Sequence, residues 1–208
     1  MRSFDLRTGL ATLACAAASV SFTTAASAGP VEVRVTHGDG SPLAGAVVFL
    51  EPRDGRPPIT PAQGVEIAQI DKRFVPEVTV IPVGTAVSFP NRDTVRHHVY
   101  SFSPAKRFEI KLYVGTPASP VPFDQPGVAV LGCNIHDTMA AWVVIVDTPW
   151  YGRTGADGRL ALASVPAGRY RLRTWHQGLP VGAVAAEQEL KVEQAQTRAA
   201  VVLTGIKP

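Results

Sequence analysis

The sequence has little cysteine, and its basic and acidic residues nearly balance. Of 208 residues, two are cysteine and two are methionine, and 20 Lys and Arg stand against 17 Asp and Glu. A net charge of +3 without a run of basic residues argues against a nucleic-acid-binding protein. The G-x-S-x-G, H-E-x-x-H and Cys-x-x-Cys motifs are also missing, so no hydrolase or paired-thiol chemistry is indicated. We therefore expect a protein that is not an enzyme and does not bind nucleic acid.

Glycine and proline, in contrast, are abundant: the chain has 18 of each, spread along its length without a repeat. They separate short β-branched or alternating runs such as Val78–Pro82, Ala86–Phe89 and Trp142–Val146. Short strands broken by turn residues are typical of a β-sandwich or barrel and exclude a helical bundle. With 46% hydrophobic residues the chain can bury a core, and the predicted fold class is all-β.

The N-terminal segment is typical of a secretory signal peptide. Arg2 and Arg7 make a basic start, and an apolar stretch rich in Ala and Leu then leads to the small-residue motif Ala26-Ser27-Ala28. We predict that residues 1–28 are cleaved after Ala28 and that the protein is periplasmic or secreted, without a membrane span. A lipoprotein acylated at Cys15 is a lesser alternative, because the residues before this cysteine are a poor match.

Removal of that segment would leave one cysteine, Cys133, and one methionine, Met139. Both belong to the array Cys133-x-x-His136-x-x-Met139. A lone cysteine is most often a small buried hydrophobic residue, but that explanation does not account for the tight spacing. Thiolate, imidazole and thioether together favour copper, whereas a thioether is a poor ligand for zinc.

Electron-transfer copper sites use two histidines, one cysteine and a weak axial methionine. The array supplies three of these four ligands, so the second imidazole must come from elsewhere in the chain. His97 and His98, which follow Asn91 in the sequence, are the candidates.

These motifs resemble the cupredoxins, the plastocyanin and amicyanin family of small blue copper proteins, including plastocyanin-like proteins of the methylamine-utilisation type. The segment Val87–Asn91 followed by His97 resembles the strand and loop that carry the first histidine ligand. The segment Gly132–Val146 resembles the ligand loop, in its short amicyanin-like version, and the final strand. The resemblance covers about residues 65–148 and implies a Greek-key β-sandwich or barrel. It also implies one mononuclear copper, with these ligands: His97, Cys133, His136 and Met139.

One position departs from the family pattern. Cupredoxins usually have asparagine directly after the first histidine, where it braces the loop bearing the cysteine, and this chain has His98. Alternation along a strand puts His97, Val99 and Ser101 on one face and His98 on the other. We predict that His97 is the ligand and that His98 supports the site from outside the coordination sphere. The reverse assignment is the alternative.

The flanking segments resemble a second family. The runs Val31–Val35 and Ala46–Leu50, with a turn at Asp39-Gly40, have the pattern of a β-hairpin. Together with the downstream segments Thr154–Leu162 and Val165–Trp175, they resemble a carboxypeptidase-regulatory-like, prealbumin-type β-sandwich. That resemblance implies no catalytic activity.

The simplest organisation is a copper domain inserted into a loop of this small sandwich, because exposed loop tips tolerate insertions. The predicted parts are the signal peptide 1–28, a discontinuous sandwich of residues 29–60 and 149–208, and a cupredoxin-like copper domain of residues 61–148.

The predicted function is that of an exported type 1 (blue) copper protein carrying one electron at a time between redox partners. A c-type cytochrome or a dehydrogenase would be such a partner. One alternative is a periplasmic protein that stores or delivers copper without redox turnover. The other, based only on the flanking segments, is a structural β-sandwich binding module.

Overall fold

All the regular secondary-structure elements in the part of the chain that the structure describes are β-strands. That structure is a computed structural model covering residues 28–117 and 119–207, and within these ranges no residue lies in a helix. The all-β class predicted from the sequence is therefore confirmed. The strands are β1 (Ala28–His37), β2 (Val47–Pro52), β3 (Val65–Glu66), β4 (Ala68–Ile70), β5 (Arg73–Val75), β6 (Val78–Pro82), β7 (Thr85–Ser88), β8 (His97–Ser103), β9 (Lys106–Tyr113), β10 (Val121–Phe123), β11 (Gly127–Gly132), β12 (Ala140–Val146), β13 (Tyr151–Arg153), β14 (Arg159–Pro166), β15 (Gly168–Trp175), β16 (Ala186–Val192) and β17 (Thr197–Leu203).

The described residues contain no helix that could cross a bilayer. The predicted signal peptide lies outside them, except for Ala28, which is the first residue of β1. Cys15 also lies outside the described residues.

The inner strands, β3 to β12, enclose one hydrophobic core. A five-stranded sheet, in the order β6-β12-β11-β8-β9, faces a three-stranded sheet, β10-β7-β3, and β4 pairs with β5 as a separate hairpin. Val99, Leu131 and Val143 of the larger sheet meet Val87 and Phe123 of the smaller one in this core. Two sheets packed through such alternating inward residues form a β-sandwich.

The outer strands come from the two ends of the described chain. They form a three-stranded sheet, β14-β1-β17, and a four-stranded sheet, β13-β2-β15-β16. Val33, Leu50 and Leu172 contribute to a second core between these sheets. The inner and outer strands thus occupy different sheets, while their division into two domains stays a prediction.

The expected hairpin of β1 with β2 is wrong. A turn is present at Gly40, whose φ is 85°, but β1 and β2 belong to different sheets. The reason is visible in the burial of β2, where four consecutive residues, Val47–Leu50, are buried. A strand covered on both faces lies inside a layered structure, whereas a hairpin with one solvated face shows alternation.

A third apolar cluster joins the inner and outer strands. Val47 and Phe49 of β2 and Trp175 of β15 pack with Val144 and Val146 of β12. The opposite face of β12 belongs to the inner core, so this strand is covered on both sides. Its continuous apolar sequence follows from that double burial.

Candidate metal centre

The loop between β11 and β12 carries three of the predicted ligands. The strands pair up to Gly132 opposite Ala140, so residues 133–139 form a short connection held at both ends. Within it, the Met139 N–H donates a hydrogen bond to the His136 carbonyl oxygen at 2.9 Å. Cys133 and Met139 are 3% and 2% exposed, respectively, and both belong to the inner core. The two sulfur-bearing side chains are therefore shielded from water.

His97 reaches the same place from β8. It is the first residue of that strand and has no exposed surface. Tyr100, three residues further along β8, pairs with Gly132 at the end of β11. Because the strands are antiparallel, the start of β8 lies beside the loop that follows β11.

His97, Cys133 and His136 form a compact cluster in which one possible ligand atom from each residue lies within 4.8 Å of the others. The Nδ1 atom of His97 is 4.0 Å from the Sγ atom of Cys133. The His97 and His136 ring centroids are 5.0 Å apart, with an interplanar angle of 60°. Sequence reasoning singled out all three residues, and the fold brings them together.

The donor atoms of this cluster fit a soft metal ion. The Nδ1 atom of His136 is buried and has no hydrogen-bond partner among the described residues. A buried nitrogen left in that state is costly unless something binds it. A thiolate and two imidazoles, with the thioether of Met139 on the same loop, are the donors that suit copper.

His98 points away from this cluster. Its Nε2 atom is 3.0 Å from Glu109 Oε1, although the two groups are not aligned for a hydrogen bond. Its ring lies beside that of Tyr100, with centroids 5.5 Å apart. The alternation expected along β8 is therefore present, with His97 facing the cysteine and His98 facing a carboxylate on β9.

Sequence reasoning missed Asp93, which contacts the far side of the His97 ring. The Nε2 atom of His97 lies 2.7 Å from Asp93 Oδ2. The same carboxylate accepts hydrogen bonds from the backbone N–H groups of Asp71, at 2.7 Å, and Lys72, at 3.0 Å. The only signal in the sequence was an acidic residue four positions before a histidine, which is common in loops.

These contacts also determine the charge of Asp93. Burial by itself would raise the pKa of its carboxyl group. The hydrogen bonds from Lys72, His97 and Asp71 outweigh that effect, so the pKa lies below the ordinary value. The carboxylate is therefore ionised where it meets the ring of His97.

Asn91 and Tyr113 hold the loop that leads to His97. The side-chain amide of Asn91 donates to the carbonyl oxygens of Val95 and Tyr113, at 2.9 and 2.8 Å. Its Oδ1 atom accepts the backbone N–H of Asp93 at 3.0 Å. The Tyr113 hydroxyl donates to the Phe89 carbonyl oxygen at 2.7 Å, and burial raises its pKa to about 12. The path from β7 to β8 is thus closed by side-chain hydrogen bonds.

No protein-family model matches the chain, and no curated protein matches it. Among solved structures, part of the chain is similar to a Cu-containing nitrite reductase (NirK) from Thermus scotoductus SA-01. The identity is 23%, the TM-score is 0.39, and the match covers 47% of this chain and 26% of that one. The chain therefore spans about a quarter of the reductase's length.

Part of the chain is also similar to a purple cupredoxin from Nitrosopumilus maritimus. The identity is 22% and the TM-score 0.36, with 39% of this chain and 99% of that chain covered. A variant of amicyanin in its reduced Cu(I) form shows 18% identity and a TM-score of 0.37, over 42% of this chain and 92% of that chain.

Proposed function

We propose that the protein is an exported type 1 copper protein, similar to the cupredoxins, that carries single electrons between redox partners. The observation that supports this most directly is the cluster of His97, Cys133 and His136, whose ligand atoms lie within 4.8 Å of one another. Two imidazoles and one thiolate form the trigonal set of electron-transfer copper sites. Met139 would be the fourth, weakly bound ligand.

Residues of the chain fix the positions of the ligands and exclude water from the site. When bound, copper supplies the one-electron exchange between its Cu(II) and Cu(I) forms. His97 and Cys133 are held in place by β8 and by the end of β11, and the inner core keeps water away from the sulfur atoms. A site held in one geometry rearranges little when the charge of its metal changes, which favours fast electron exchange.

The partner would dock where the ligand loop reaches the surface. His136 is half-buried, and its neighbours Asn134, Ile135 and Asp137 are exposed. Redox encounters use small, transient interfaces, for which such a loop is large enough. A c-type cytochrome or a dehydrogenase would be a partner of this kind. Export rests on the predicted signal peptide.

Copper loading of the wild type and of Cys133→Ser tests the proposal. The wild type, mixed with Cu(II), should develop an intense visible absorption from charge transfer between thiolate and copper, and should cycle reversibly at an electrode. Cys133→Ser should lose the absorption, because serine cannot supply a thiolate. Asn134→Ser, the exposed neighbour on the same loop, should keep it and serves as the matched control.

Three results would contradict the proposal. The first is a wild type that stays colourless with Cu(II), and the second is a Cys133→Ser variant with an unchanged spectrum. The third is ready exchange of copper with an acceptor protein without a stable oxidised form, which would indicate copper delivery.

A further inference from the structure

We propose that Asp93 is a positioning residue for the metal centre, one that sets the tautomer and orientation of His97 and lowers the reduction potential of the bound copper. The part of this inference that concerns the reduction potential rests on the proposed function. The part that concerns the tautomer of His97 does not. Its basis is the set of three hydrogen bonds that meet at the Asp93 carboxylate.

The hydrogen bonds of the Asp93 carboxylate assign a proton to the Nε2 atom of His97. Asp93 Oδ1 accepts the N–H of Asp71, and Oδ2 accepts the N–H of Lys72 while facing His97 Nε2 at 2.7 Å. Because both carboxylate oxygens already accept backbone N–H groups, the third contact is one in which the His97 ring donates from Nε2. In the neutral ring, the Nδ1 atom, 4.0 Å from the Cys133 sulfur, would then present its lone pair to a bound metal ion.

The same contacts fix the direction of the ring. Asp93 is itself held by Asn91, which accepts its backbone N–H, and by the turn between β4 and β5. Asp71 and Lys72 in that turn have positive φ angles of 52° and 56°, an unfavourable conformation for residues other than glycine. The carboxylate compensates for this by accepting both of their N–H groups. The turn, the loop and the ligand thus form one hydrogen-bonded unit.

A carboxylate on the outer nitrogen of a histidine ligand makes that ligand more basic. Greater basicity and a nearby negative charge stabilise Cu(II) more than Cu(I), because Cu(II) carries the larger charge. The reduction potential should therefore be lower with Asp93 than with a neutral residue at this position. Asp93 is half-buried, with 12% of its side chain exposed, so solvent screens part of this charge.

Asp93→Asn tests the proposal with the smallest change of shape. The asparagine amide has one oxygen and one NH2 group, and only the oxygen can accept a hydrogen bond. In either orientation the NH2 group faces an N–H donor, either those of His97 and Lys72 or that of Asp71. We expect the affinity for Cu(II) to fall about 10- to 100-fold, with a smaller loss for Cu(I), and hence a higher reduction potential. Asp137→Asn removes the same charge from an exposed position beside His136 and should shift the potential less.

A second measurement uses the metal-free protein. The ring nitrogens of His97, observed by ¹⁵N NMR, should show the proton on Nε2 in the wild type and a mixed or reversed tautomer in Asp93→Asn. Thermal unfolding of both proteins identifies any loss of fold, and Asp93→Ala gives a second variant should Asp93→Asn be unstable.

The outcomes separate the two proposals. A wild type that binds no copper overturns the proposed function, while the NMR result still decides the role of Asp93. An unchanged tautomer in both Asp93 variants overturns the positioning role. A potential in Asp93→Asn that moves no further than in Asp137→Asn overturns the electrostatic part.

Discussion

Two adjacent histidines at the start of β8 contact different parts of the molecule. His97 is fully buried and faces Cys133, whereas His98 lies near Glu109 and Tyr100. Strand alternation is sufficient to produce this difference, because neighbouring side chains point to opposite faces. Substitution of each histidine in turn therefore tests which of the two binds the metal.

His97→Ala is expected to abolish the visible copper absorption, because the site loses one imidazole of its trigonal set. His98→Ala should keep the absorption, with at most a small change in its position. Absorption and electron paramagnetic resonance spectra of the two Cu(II)-loaded variants make the comparison. Loss of colour in His98→Ala with retention in His97→Ala would reverse the assignment of the ligand.

The identity of the candidate ligands could be predicted from the sequence, but the residues that orient them could not. Cysteine, histidine and methionine at short spacing have few common explanations other than a soft metal, so Cys133 and His136 were predictable. Asp93 carries no such chemical signature. Its role depends on the turn at Asp71 and Lys72, which only the folded chain brings next to it.

At the scale of elements, Tyr113 ties the end of β9 to two distant segments. Its hydroxyl donates to the carbonyl oxygen of Phe89, after β7, and accepts a hydrogen bond from Gln69 of β4 at 2.5 Å. Burial is the main cause of its raised pKa of about 12, with the hydrogen bond from Gln69 acting in the opposite direction. The neutral hydroxyl is thus part of the packed structure.

Tyr113→Phe should reduce the free energy of unfolding by about 1–3 kcal/mol near pH 8, because the Phe89 carbonyl oxygen loses its shortest donor and the Gln69 amide loses an acceptor. The difference should shrink above pH 10. The pKa is about 12 in the folded state against 10.0 for the free side chain, so the unfolded wild type releases its proton first. Wild-type stability then falls by roughly 1 kcal/mol per pH unit across this window, and the variant escapes that loss.

Urea denaturation of both metal-free proteins at pH 8, 10 and 11 provides the measurement. A stability difference that stays constant over this range would show that the hydroxyl does not titrate with a raised pKa.

The order of the strands was less predictable than their presence. The short runs of β6, β7 and β12 were expected, since β-branched residues between turn residues favour strands. The predicted hairpin of β1 with β2 was wrong. A turn at Gly40 determines where the chain changes direction, but it does not determine which sheet the next strand joins. The four consecutive apolar residues Val47–Leu50 did indicate that β2 lies between two layers. A strand with apolar residues on both faces must be packed against other elements on each side.

At the scale of the whole molecule, one cluster links the inner and outer strands. Trp175 is 3% exposed and packs with Phe49 and with Val144 of β12. Its ring centroid is 6.5 Å from that of Trp142. A tryptophan so placed contributes a large apolar surface to the contact between the two strand groups.

Trp175→Ala should lower the free energy of unfolding by about 3–5 kcal/mol, the usual loss for a buried tryptophan. The absorption of bound copper should be unchanged, because Cys133 and Met139 pack in the inner core and Trp175 belongs to a different cluster. Val181→Ala, at a side chain that is 79% exposed, is the control and should cost about 0.5 kcal/mol or less. Chemical denaturation gives the energies, and a loss below about 1 kcal/mol for Trp175→Ala would contradict the role assigned to this cluster.

The parallel pairing of β1 with β17 has a consequence for biosynthesis. The first strand lies beside the last, from Val31 opposite Thr197 to His37 opposite Leu203. The inner strands are contiguous in the chain, from Val65 to Val146, so they can assemble while the C-terminal region is still being made. The three-stranded outer sheet, in contrast, is completed only by β17. A chain that emerges N-terminus first, from the ribosome or from a translocation pore, could therefore pair its ligand-bearing strands before β1 meets β17.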